Sequence, residues 1–258
     1  MRLYSPHYKY VMLTTPKSGC TSLGLMFMLL HYKEYENDEL NTEMERVLDL
    51  LDNTKKFTGC ISLHPKIYSR AVELSKNLIK KHKPSHRFLV TRNPYSRAVS
   101  MYTDKYIYLE KERADRWGKE NLPANLNFIQ FLEELRNRGG LRNSHHYQTQ
   151  CNHVQRHLGV RDMTKLHKLK IENKDEGILN HYKTYIPDLD QNMLLDALIE
   201  SKKIPNRSPY GTETTNASRI IFYDKRLTHT KDSFLTRYTK NKIYNMYQED
   251  FLYLGYEP

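Results

Sequence analysis

The stretch Thr14-Thr15-Pro16-Lys17-Ser18-Gly19-Cys20-Thr21-Ser22 lies between a short β-like run, residues 8–13 (Tyr-Lys-Tyr-Val-Met-Leu), and an apolar run, residues 23–30. A strand followed by a turn of small residues and then a helix is the expected local structure. In that geometry the first amides of the helix have no intrahelical acceptor, and the helix dipole adds positive potential. The backbone N–H groups of residues 18–22, with the Thr21 and Ser22 hydroxyls, then form a cradle for a phosphate or sulfate, and Lys17 adds a mobile charge. A second stretch, Arg92-Asn93-Pro94-Tyr95-Ser96-Arg97-Ala98-Val99-Ser100, follows the apolar run Arg87-Phe88-Leu89-Val90-Thr91 and has the same strand-to-helix character.

The order of residues in the first turn limits its chemistry. A nucleotide-kinase P-loop places lysine after its second glycine, whereas Lys17 precedes the single glycine, Gly19. Pro16-Lys17-Ser18-Gly19-Cys20-Thr21-Ser22 instead resembles the 5′-phosphosulfate loop of sulfotransferases that use 3′-phosphoadenosine-5′-phosphosulfate (PAPS). In that family an Arg at a strand end and a Ser eight positions on hold the 3′-phosphate, and Arg92 and Ser100 have this spacing. The chain most resembles the carbohydrate sulfotransferase branch. Ile204-Pro205-Asn206-Arg207-Ser208 is similar to that branch's Pro-x-x-Asn-x-Ser stretch, and residues 239–256 resemble its closing helix. His146-Tyr147-Gln148-Thr149-Gln150 is a looser likeness of its His-Trp-x-Pro-Gln segment. Residues 101–140 and 174–203 carry little of the resemblance.

Composition bounds the remaining possibilities. A chain of 258 residues with no Gly/Ser/Pro-rich linker reads as one domain, residues 1–258. Three widely spaced cysteines argue against a disulfide framework or a zinc site. In the anion turn, Cys20 reads as a small filler or as a thiol activated by the helix end. A net charge of +11 implies anionic partners without choosing among them. No RNA-recognition, zinc-finger or basic-zipper pattern organises the 20 tyrosines for nucleic acid. The longest apolar run, 23–30, falls far short of the roughly 20 residues that span a bilayer, and no signal peptide precedes Tyr8. The expectation is a soluble cytoplasmic protein, with a Golgi lumenal domain whose anchor has been removed as the alternative.

Further along the chain, apolar spacing predicts strands over 57–63, 87–91 and 164–171, and helices over 21–31, 38–51, 66–81, 127–138 and 193–199. Another helix from the second motif should run through Tyr108. Strands alternating with helices imply an α/β class with a parallel sheet flanked by helices and its ligand at the carboxyl ends of the strands. The resemblance makes this a P-loop-like, three-layer fold. On this reading both anion motifs and His64, at the end of the 57–63 strand, share one sheet edge.

The resemblance implies sulfuryl transfer from PAPS to a carbohydrate hydroxyl without a metal. Lys17 would hold the 5′-phosphosulfate with Ser18, Gly19, Cys20, Thr21 and Ser22. Arg92 and Ser100 would take the 3′-phosphate, with Arg207 and Ser208 approaching the nucleotide from the other side. Arg97 reads as a helper or as a surface residue. A general base near neutrality suits histidine. His64 is the first choice because His64-Pro65 resembles the family's His-Leu-Pro element. His146 is the second, with His145 as its neighbouring equivalent. The competing readings are a P-loop nucleotide or nucleoside kinase and a non-enzymatic basic module that binds nucleic acid or anionic glycans.

Overall fold

A computed structural model describes residues 1–53, 60–107, 123, 126–137, 146–202 and 231–258. Contacts divide the chain into two compact units, each assembled from two stretches: residues 1–91 with 162–206, and residues 92–161 with 207–258.

The first unit contains a four-stranded sheet in the order β1 (Arg2–Ser5), β2 (Tyr10–Thr14), β3 (His86–Thr91) and β4 (His167–Lys170). Strands β2, β3 and β4 are parallel, with Thr14 opposite Val90 and Thr91 opposite Lys170. All five residues of β2 are buried, as are Phe88 to Thr91 of β3, which suits strands covered on both faces. The sheet is not wholly parallel as expected, because β1 pairs antiparallel with β2 through a short turn in which Lys9 has φ 53°. The connection from β2 to β3 carries α1 (Cys20–His31), α2 (Asp38–Asn53) and α3 (Cys60–Lys81). Helix α1 buries Leu23, Leu25, Met26, Phe27, Met28 and Leu30, as expected of an apolar helix enclosed by the core. After β4 come α4 (Lys174–Tyr185) and α5 (Gln191–Lys202), whose Tyr182, Leu194 and Leu198 join the same core.

Two strand predictions are corrected here. Residues 60–63 are helical within α3, so the 57–63 strand does not form there, and residues 57–59 lie outside the described set. Phe57, Ile61 and Leu63 form a short apolar run, a pattern that strands and buried helices share. Pro65 is the sixth residue of that helix. The 164–171 strand shortens to β4, with a 3₁₀ turn on either side (Met163–Lys165 and Ile171–Asn173).

The described residues of the second unit form helices joined by turns and irregular segments, with no strand among them. Helix α6 (Pro94–Met101) starts with Asn93, whose side chain accepts from the Tyr95 N–H at 2.9 Å, and with Pro94 in the first helical turn. It runs on into a π-helical turn, Tyr102–Ile107. The remaining helices are α7 (Phe128–Asn137), α8 (Gln150–Leu158), α9 (Arg237–Met246) and α10 (Gln248–Leu254). Tyr102 packs on Phe128 and Phe131 at 5.2 Å between ring centroids, and all three rings are fully buried. The closing segment expected as one helix is two. The chain breaks at Tyr247, whose buried hydroxyl donates to the Tyr147 carbonyl at 2.9 Å. No helix among the described residues is long and apolar enough to cross a membrane.

Candidate functional site

In the first unit the parallel register brings the carboxyl ends of β2, β3 and β4 to one edge of the sheet. The chain leaves β2 there through a tight turn closed by the Ser18 N–H donating to the Thr15 carbonyl at 3.2 Å. The Thr15 and Ser18 hydroxyls pair at 2.7 Å, and both residues are fully buried. Ser18, expected to meet the anion, therefore spends its N–H and its hydroxyl in building the turn. Lys17 (φ 69°) and Gly19 (φ 70°) both take the left-handed conformation. That conformation costs an ordinary residue about 1–2 kcal/mol, so Lys17 occupies a strained position of the kind that collects at functional sites.

Gly19 is the N-cap of α1, makes no side-chain cap, and is followed by a first turn without a carboxylate. The Gly19, Cys20, Thr21 and Ser22 amides thus occupy the positions that a helix leaves without intrahelical acceptors. The Cys20 and Thr21 side chains lie outside the described set. A Cβ at Gly19 would stand 2.1 Å from Ile171 Cδ1, so the turn after β4 presses directly on the anion turn. Sequence reasoning missed Ile171, because nothing local marks a residue whose neighbour is 152 positions away.

In the second unit Arg92 is half-buried, between the last residue of β3 and the Asn93 cap of α6. The Gln150 side-chain amide meets both of its backbone groups. Its Oε1 accepts from the Arg92 N–H at 3.0 Å, and its Nε2 donates to the Arg92 carbonyl at 2.8 Å. Asp250, fully buried in α10, accepts from the N–H groups of Gln150 (2.8 Å) and Cys151 (2.9 Å) at the start of α8. Burial pushes the Asp250 carboxyl above its ordinary range, while Arg97 and these N–H groups pull it back. Arg97 is completely buried, donates to the His146 carbonyl at 3.1 Å, and lies 5.8 Å from the centre of the Tyr247 ring. The surface reading of Arg97 is thereby overturned: a buried cation beside a buried carboxylate is part of the framework. Ser100 is half-buried in the last turn of α6.

The histidines fall differently from expectation. His64 is the fifth residue of α3 rather than the end of a strand, and its side chain lies outside the described set. The argument that placed it at the shared sheet edge therefore loses its premise. His146 is half-buried, and its carbonyl holds Arg97. His145, Arg207 and Ser208 lie outside the described residues. Cys151 is buried and its thiol donates to the Glu249 carbonyl at 3.5 Å, and the described residues contain no group of three or more metal-ligating side chains.

The second unit also bears an open groove of about 550 Å³ lined by Tyr95, Leu235, Arg237, Lys240, Asn241, Tyr244 and Pro258. Arg237, Lys240, Asn241 and Tyr244 repeat at the i, i+3, i+4, i+7 spacing of one helix face. Opposite them Tyr95 packs on Phe251 at 4.9 Å, and the Lys240 ammonium lies 5.8 Å from the Tyr95 ring centre. Among the described residues the lining side chains are those of two cations, two phenols, an amide, a leucine and a proline, with no carboxylate side chain.

The family model described as "Sulfotransferase family" matches residues 2–257, so the chain belongs to the sulfotransferase family. No curated protein and no solved structure matches the chain. Membership supports sulfuryl transfer as its reaction class.

Proposed function

We propose that this protein transfers the sulfuryl group of PAPS to a hydroxyl of a carbohydrate acceptor. The observation that carries the reading is the 15–19 turn: Lys17 and Gly19 are both left-handed and Gly19 is the N-cap of α1, a backbone that suits helix amides and a lysine sharing one anion. This arrangement suits the 5′-phosphosulfate, and the braced Arg92 suits a 3′-phosphate, which a guanidinium binds through two oxygens. The single match over residues 2–257 supports treating the chain as one functional domain.

In this reading the transfer is an in-line displacement. A histidine takes the acceptor's proton, the acceptor oxygen bonds to sulfur, and the bond from sulfur to the phosphate oxygen breaks. Lys17 and the first-turn amides of α1 neutralise the charge that grows on the departing phosphate. Adenosine 3′,5′-bisphosphate leaves. His64 and His146, with His145, are the candidate bases, and Arg207 and Ser208 are assigned to the nucleotide through the family resemblance. No catalytic metal is assigned. The groove beside Tyr95 and α9 favours a polyhydroxyl acceptor carrying acidic groups, because its described lining offers Arg237, Lys240 and Asn241 as donors with the Tyr95 and Tyr244 phenols beside them.

Calorimetric titration of wild type and Arg92→Ala with adenosine 3′,5′-bisphosphate, and with adenosine 5′-monophosphate as control, tests the donor assignment. Tight binding that needs both the 3′-phosphate and Arg92 supports it. A folded wild type that binds neither nucleotide refutes it. Transfer of labelled sulfate from PAPS to acidic and neutral polysaccharides then tests the acceptor.

A further inference from the structure

Arg92 occupies a gap in the backbone's hydrogen bonding. The β3 ladder ends at Thr91, paired with Lys170, and α6 begins only after its cap at Asn93. Arg92 thus belongs to neither ladder nor helix, and buried backbone groups in such a position need partners from elsewhere. Gln150 supplies both with one side chain, accepting from the N–H at 3.0 Å and donating to the carbonyl at 2.8 Å. These two bonds define the orientation of the amide, because a flipped one would set donor against donor and acceptor against acceptor.

Gln150 is itself held. It is the first residue of α8, and its own N–H and that of Cys151 are both accepted by Asp250. Thr149 caps the same helix, accepting from the Asn152 N–H at 3.0 Å. Arg97, buried in α6, acts electrostatically on Asp250. A brace therefore runs from α10 through the start of α8 to the backbone of one arginine. Such a brace fixes the direction in which the Arg92 side chain leaves the chain, and a bidentate contact is sensitive to that direction.

We infer that Gln150 is the positioning residue for Arg92, and that it confers on the protein its preference for a nucleotide with a 3′-phosphate. The inference rests on the assignment of Arg92 to the 3′-phosphate. It also gives the His146–Gln150 segment a role distinct from supplying a base, since its last residue acts on the nucleotide arginine.

The test compares wild type, Arg92→Ala, Gln150→Met and Gln150→Glu as full-length chains. For each, the ratio of dissociation constants for adenosine 5′-monophosphate and adenosine 3′,5′-bisphosphate is measured by calorimetry, with circular dichroism to verify folding. Methionine keeps the length of glutamine and removes both hydrogen bonds. Glutamate keeps an acceptor for the Arg92 N–H, loses the donor to its carbonyl, and sets a second carboxyl beside Asp250, whose Oδ2 lies 3.5 Å from the Gln150 Nε2. The expected result is a preference for the bisphosphate that vanishes in Arg92→Ala and falls about tenfold in Gln150→Met. Gln150→Glu should lose at least as much of the preference as Gln150→Met, because its carboxyl faces the Arg92 carbonyl and Asp250, and monophosphate affinity should remain within about twofold throughout. A general loosening of the fold would weaken both ligands alike and leave the ratio untouched. Folded Gln150 variants that keep the wild-type ratio overturn the inference, and if Gln150→Met does not fold, Gln150→Glu decides. A wild type without preference overturns the donor assignment itself, and this inference with it, which a wild-type ratio alone reveals.

Discussion

Replacing Gly19 with alanine tests whether the anion turn depends on a backbone conformation, a close approach, or both. Gly19 has φ +70°, and a Cβ there would stand 2.1 Å from Ile171 Cδ1 and 3.4 Å from Cγ1. The left-handed conformation costs an L-residue about 1–2 kcal/mol. Pushing Cδ1 aside by turning the Ile171 side chain off its rotamer adds about 0.5–1.5 kcal/mol. The sum is about 1.5–3.5 kcal/mol, or about 3–14 °C in Tm at 2–4 °C per kcal/mol for a chain of this size. Ile171→Val removes the clashing Cδ1 and by itself costs about 0.5–1.5 kcal/mol. In urea unfolding of the two single variants and the double variant, Gly19→Ala should be less damaging in the valine background by about 0.5–1.5 kcal/mol. The conformational cost should persist there. Additive effects, within about 0.3 kcal/mol, would refute the contact between the two turns. A Gly19→Ala protein as stable as wild type would refute the requirement for glycine.

Other perturbations follow from the same geometry. Lys17→Ala keeps the left-handed conformation and its cost, so Tm should change by less than about 2 °C while sulfate transfer falls about 10²–10³-fold; a stable variant with near-normal turnover would remove Lys17 from the site. His181 packs against Phe88 and Tyr185, its Nε2 is buried without a hydrogen-bond partner among the described residues, and burial followed by His167 lowers its pKa from 6.5 to about 4. The unfolded chain therefore takes up a proton below about pH 6.5 that the folded one refuses until about 4, so stability drops as pH falls through that window. His181→Phe should flatten this part of the Tm-against-pH curve, and an unchanged slope would show that His181 is not its source. Arg237→Ala with Lys240→Ala should raise KM for an acidic polysaccharide about two- to thirtyfold and reduce its salt dependence, at about 0.2–1 kcal/mol per exposed cation. An equal effect on a neutral acceptor would contradict the charge argument for the groove.

The sequence by itself determined the features whose causes are local. The apolar runs of β2 and β3 read as buried parallel strands, and the 92–100 stretch read as the start of a helix after a strand, whose Asn93 cap and first-turn Pro94 the structure then showed. Gly19 and Lys17 marked a turn whose backbone the structure then showed to be left-handed. Tertiary structure alone decided the rest. Residues 60–63 joined a helix because a short apolar run carries no period of its own, and β1 escaped notice because four residues acquire a strand's identity only from the partner they pair with. Arg97 was ambiguous in sequence, and burial beside Asp250 and Tyr247 settled it. Gln150 stood out only as the last residue of the His146–Gln150 likeness and Ile171 only as the end of a strand, and the partner of neither was legible, since Gln150 reaches Arg92 across 58 residues and Ile171 meets Gly19 across the sheet edge. Capping, turn chemistry and apolar periodicity act within a few residues and leave a mark in the local pattern. Contacts between distant residues depend on how strands and helices pack, so they are set by the fold as a whole.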